Sequence, residues 1–142
     1  MLLRLMRLSL LLTAALWWGG CGGDDSTVGP DGEGEGTLTE ASLAQVREVF
    51  AVSCTFSGCH SGGEPAGDLS LEGDFAARIV GVDSGQRPDF KLVDPGNPNK
   101  SYLLIKVRGD DEIISQQMPP GNPLSAEQVE IIRAWIASGA KE

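Results

Sequence analysis

Apolar residues recur at helical spacing in two clear stretches of the chain. Leu43, Val46, Val49 and Phe50 form one face, and Val129, Ile132, Trp135 and Ile136 form another. Ser42 with Gln45 three residues on fits a capping box, which predicts a helix over Ser42 to Ser53. Ser125 with Gln128 fits a second box, Leu124 and Val129 stand where a hydrophobic staple needs them, and Gly139 fits the C-terminal stop. Between these lie two further apolar runs. "DFAARIV" over Asp74 to Val80 predicts a short helix stopped by Gly81. Asn97 predicts a cap, with Pro98 in the first turn, for a helix that runs through "SYLLIKV" to Gly109. No stretch alternates as a strand does. The connections, Cys54 to Gly73, Val82 to Val93 and Asp110 to Pro123, are long and rich in glycine, proline and polar residues. The pattern predicts an all-α domain of about four short helices.

The first third of the chain differs. Met1 to Arg7 carries Arg4 and Arg7 and no acid, and Leu8 to Trp18 is almost unbroken apolar sequence. That combination describes an export signal, too short for a comfortable membrane span. "WWGGC" resembles a bacterial lipobox, with Trp18 where leucine is usual, and marks Cys21 for lipidation. A plain secreted chain and an uncleaved anchor are the competing readings. Gly22 to Thr37, "GGDDSTVGPDGEGEGT", has one apolar side chain and reads as a flexible acidic tether. The organisation expected is an export signal over 1–20, a tether over 21–37 and a folded domain over 38–142. The domain then lies outside the cytoplasm, periplasmic or at the cell surface. Gly22 is not the retention aspartate of inner-membrane lipoproteins, which favours the outer membrane.

The formal net charge of the 142-residue chain is −9, and loss of Arg4 and Arg7 takes it to −11. Such a surface repels nucleic-acid phosphates. It keeps a protein soluble and suits a partner with a basic docking face. After signal removal and lipidation, Cys54, Cys59, His60 and Met118 are the only Cys, His and Met side chains left.

Three of them sit together in "CTFSGCH". Two cysteines followed at once by histidine suggest covalent haem attachment, although the usual spacing is two residues and here it is four. Cys54 and Cys59 supply the thioethers, and His60 meets the iron from the same side. The longer loop costs little extra closure entropy, and Gly58 lets it turn. Met118, before Pro119 and Pro120, is the candidate sixth ligand. Taken by itself it reads as a gap-filling core residue. A disulfide between the cysteines explains the pair but not the adjacent histidine. Zinc wants four ligands where three are available.

These residues resemble the c-type cytochrome domains of exported proteins and lipoproteins of planctomycetes and myxobacteria. The matching stretches are "VFAVSCTFSGCHSG", "GDLSL", "VDPGNPNKSYLLIKV" and "QMPPGNPLSAEQVEIIRAWIASGA". The resemblance implies a class I cytochrome c-like fold around a haem, with first and last helices crossing and Phe50 packed near Trp135. It implies electron transfer to redox partner proteins rather than catalysis; the C-x4-C-H spacing departs from the usual one and puts covalent loading in doubt in a foreign host more than in the native one. Two other functions compete with it. One is a disulfide-stabilised, non-haem lipoprotein binding module. The other is a five-coordinate, peroxidase-like enzyme, if Met118 leaves the iron open. Pro95 either supplies the carbonyl that accepts from the imidazole N–H and orients the ring, or is a plain turn before a helix, and the turn is the preferred reading.

Overall fold

A computed structural model describes residues 37–142. The export signal, Cys21 and all of the tether except Thr37 lie outside the described residues. Among those described, the chain forms four α-helices, two 3₁₀ turns and, in place of strands, three isolated β-bridges. The helices are α1 (Leu43–Ser53), α2 (Ala76–Ile79), α3 (Tyr102–Arg108) and α4 (Ala126–Ala137).

Both capping boxes form. The Ser42 hydroxyl accepts from the Gln45 N–H and the Gln45 side chain accepts from the Ser42 N–H; Ser125 and Gln128 repeat this on α4. Each box satisfies two of the donors that a helix start leaves unpaired. The buried faces carry the expected residues: Val46, Val49 and Phe50 on α1, and Ile132, Trp135 and Ile136 on α4. Leu124 is buried and Val129 packs against the same core.

The single helix expected from Asn97 to Gly109 is instead two elements. A 3₁₀ turn over Pro98–Lys100 ends at Ser101, which is extended at φ −96° and ψ 105°, and α3 starts only after it. Asn97 makes no side-chain cap. The break has a tertiary cause. The N–H groups of Tyr102 and Leu103 donate to the carbonyls of Lys91 and Leu92, at 2.8 and 3.0 Å, so a distant segment satisfies the first turn of α3. The buried Ser101 hydroxyl accepts from the Asp94 N–H at 2.9 Å and donates to the Asn97 carbonyl at 3.0 Å, which fixes the corner.

α3 is the centre of the domain. Tyr102 to Val107 are all buried, as a helix enclosed on every side requires. Gly109 ends it in the left-handed conformation at φ +76°. α1 and α4 both pack within the core, and α4 also contacts α3. Phe75, fully buried at the head of α2, stands edge-on to Phe50 at 4.9 Å between centroids and to Trp135 at 6.4 Å. The aromatic link between the first and last helices therefore runs through Phe75.

Candidate functional site

α1 delivers Cys54 to the site. The Cys54 N–H caps the helix on the Phe50 carbonyl at 2.8 Å, and the Thr55 N–H shares that carbonyl at 3.1 Å. The chain then turns through Phe56 and Gly58, whose φ of +80° is one that residues with a Cβ rarely adopt. The Cys59 N–H bonds the Phe56 carbonyl at 2.9 Å, and the His60 N–H returns to the Cys54 carbonyl at 3.0 Å. This last bond closes the Cys54–His60 loop on itself. Four intervening residues thus fold into a tight turn that keeps both cysteines and the histidine in one locality.

Cys54 and Cys59 are free thiols, not a disulfide, Cys54 buried and Cys59 half-buried. Burial pushes the Cys54 thiol up to about 11, and the neighbouring Cys59 adds to the shift, so at neutral pH Cys54 is protonated.

The half-buried His60 ring is oriented by a backbone group. Its Nδ1 lies 3.0 Å from the Leu69 carbonyl. A carbonyl only accepts, so Nδ1 carries a proton, and in the neutral ring the lone pair is on Nε2. That is the arrangement by which a second partner fixes the tautomer of a ligating histidine. Leu69, not Pro95, therefore holds the imidazole. The Leu71 N–H bonds the His60 carbonyl at 2.9 Å and doubles the tie to this segment.

Met118 arrives on the loop after α3. That loop docks on the last turn of the helix, whose carbonyls have no partner within it. The Met118 N–H donates to the Lys106 carbonyl at 3.1 Å, and the Gln117 amide donates to the Val107 carbonyl at 2.7 Å. The Lys106 ammonium donates back across the loop to the Ile114 carbonyl. Burial lowers the Lys106 pKa from the ordinary lysine value.

His60 and Met118 line the same cavity, which encloses about 600 Å³. Cys54 lines it too, as do Phe50, Leu71, Leu92 and Leu103. This volume falls within the ordinary range for small-molecule and cofactor sites, about 300–1,000 Å³, and the wall has the usual apolar character with a few polar groups. Among the described residues, no three His, Cys, Asp or Glu side chains gather as a metal-holding group. His60 brings an imidazole nitrogen to the cavity, Met118 a thioether sulfur and Cys54 a thiol, a set too small for a bare metal site and suited to a metal already held by a macrocycle.

The described residues form a small helical domain with a largely apolar cavity. Residues 57–122 match the family model described as planctomycete cytochrome C, so this part of the chain is similar to a c-type cytochrome domain. The match takes in Cys59, His60 and Met118 and begins after Cys54. No curated protein and no solved structure matches the chain.

Sequence reasoning missed two participants. The Leu69 carbonyl carries no side-chain signal, although "GDLSL" belongs to the stretches that resemble the cytochrome domains. Lys106 had one: a lone lysine inside "YLLIKVR", in a helix without another charged side chain until its last residue.

Proposed function

We propose that the domain is a monohaem c-type electron carrier in which Cys54 and Cys59 hold the haem through thioethers, His60 is the proximal ligand and Met118 the distal one. The observation that carries the proposal is the meeting of His60 and Met118 on one largely apolar cavity, with Nε2 of His60 left free for a metal. When bound, the haem iron supplies one-electron exchange between Fe(III) and Fe(II), and methionine ligation favours the reduced form.

The chain's own residues do the rest. Leu69 holds the imidazole in one tautomer. The hydrogen bonds of Gln117 and Met118 to α3 hold the thioether-bearing loop against a rigid helix. Phe50, Leu71, Leu92 and Leu103 keep water from the site and lower its dielectric. A haem held by both His60 and Met118 would keep no open position for a substrate, which supports a carrier rather than an enzyme. The proposal includes export, lipidation at Cys21 and an outer-membrane location, with the acidic surface facing a basic redox partner.

The test uses protein matured in its native host. Expected are a c-type band in the reduced-minus-oxidised spectrum and a haem-sized mass increase that survives denaturation. A colourless protein with a Cys54–Cys59 disulfide refutes the proposal. Met118→Ala is expected to change both spectrum and potential. An unchanged spectrum places Met118 off the iron and favours a five-coordinate, reactive haem.

A further inference from the structure

Two cations line the cavity: Arg78 is exposed and donates to the Ser70 and Glu72 carbonyls, whereas Lys106 is buried, only 8% exposed. Among the described residues its ammonium has a single acceptor, the Ile114 carbonyl, and none of the ion pairs includes it. Its nitrogen otherwise lies 6.0 Å from the centre of the Tyr102 ring. A buried ammonium has three donors to satisfy and is costly to bury without a counter-charge.

One further group on the same cavity is left able to donate. The Tyr102 hydroxyl accepts from the Ile114 N–H at 2.9 Å and donates to the Gln86 side-chain oxygen at 3.1 Å. Gln86 also lines the cavity, and with its oxygen so engaged its amide N–H₂ remains a donor. Ile114 thus serves both residues, its carbonyl holding Lys106 and its N–H holding Tyr102.

We propose that Lys106, assisted by Gln86, binds a carboxylate of the tetrapyrrole that enters this cavity, which makes the site selective for a porphyrin with free acid groups. This rests on the haem reading above and adds to it the residue that sets which end of the macrocycle faces α3. The carboxylate supplies the missing counter-charge, and the Ile114 carbonyl keeps the ammonium in place to receive it.

The experiment titrates the full-length apo-protein with iron mesoporphyrin IX and with its dimethyl ester, followed by absorbance. Mesoporphyrin carries ethyl groups in place of vinyls, so no thioether forms and only reversible binding is read. The wild type is expected to bind the diacid about tenfold more tightly than the ester, which is about 1.4 kcal/mol. Lys106→Gln is expected to bring the two affinities together. Lys100→Gln, a lysine outside the cavity, should keep the preference. Equal wild-type affinities for acid and ester overturn the proposal, and so does a Lys106→Gln variant that retains the preference. If Lys106→Gln does not fold, the wild-type comparison decides. If neither porphyrin binds the wild type, the haem reading itself falls, and this proposal with it.

Discussion

Gly109 joins α3 to the Met118 loop, and the cost of replacing it follows from two local facts. Its φ is +76°, and a Cβ placed there would stand 2.7 Å from the Gln117 side-chain carbon and 2.8 Å from its oxygen. The left-handed conformation costs a residue with a Cβ about 1–2 kcal/mol. The close contact is with the end of a flexible side chain, so Gln117 would move aside and lose its bond to the Val107 carbonyl. A typical hydrogen bond contributes a further 0.5–1.5 kcal/mol or about that. Gly109→Ala is therefore expected to destabilise the domain by about 2–3 kcal/mol, or about 10–20 °C in Tm for a domain near a hundred residues. Gln117→Ala alone should cost about 1 kcal/mol. The decisive variant is the double one. Since Gly109→Ala has already displaced Gln117, adding Gln117→Ala should cost almost nothing more. Equilibrium denaturation of the four proteins gives the cycle. Additive effects, or a Gly109→Ala variant as stable as the wild type, would refute the reasoning.

Three further expectations concern the core, the α3 corner and the acid limb. Phe75→Ala removes the fully buried ring between Phe50 and Trp135 and should cost about 3–5 kcal/mol, whereas Phe56→Ala, at a position 56% exposed, should stay within about 0.5 kcal/mol; denaturant midpoints separate the two. Ser101→Ala takes the acceptor from the Asp94 N–H, while the exposed Asn97 carbonyl keeps the Lys100 N–H, and should destabilise by about 1 kcal/mol, with faster amide exchange at Tyr102 and Leu103. Glu130 is held below its ordinary value first by its hydrogen bond from Arg133, so its contribution is present above the ordinary carboxylate range and is lost as the pH falls through the lowered value. Glu130→Gln should flatten that part of the stability profile in an acid titration followed by circular dichroism, by a small amount because the pair is partly solvated.

The two capping boxes and the faces of α1 and α4 were legible because each is written within a few consecutive residues. The stop at Gly109 was legible for the same reason. The break at Ser101 was not, because its cause lies in Lys91 and Leu92, whose carbonyls take the first donors of α3. Local sequence around Asn97 and Pro98 argues for a continuous helix, and tertiary hydrogen bonding overrides it. The site divides similarly. Cys54, Cys59, His60 and Met118 stand out as the sole bearers of their chemistry after residue 21. The structure brings His60, Met118 and Cys54 to one cavity although Met118 is remote in sequence. The group that orients His60 is a peptide carbonyl, which any residue at position 69 would supply, so no residue type betrays it. Lys106 hid for another reason: a lysine in a short helix is ordinarily a solvated position, and only the enclosure of α3 on all sides shows otherwise.

The way the N-terminal edge is fastened has a mechanical consequence. Leu38 donates its N–H to Glu130 at 2.8 Å, and its carbonyl accepts from Arg133 at 2.6 Å, so both of its peptide groups are gripped by one ion pair on α4. A tug transmitted along the preceding residues meets that grip before it reaches α1 and the cysteines that follow. Acid that protonates Glu130 would loosen that grip, and a load along the chain would reach it ahead of the turn that presents His60.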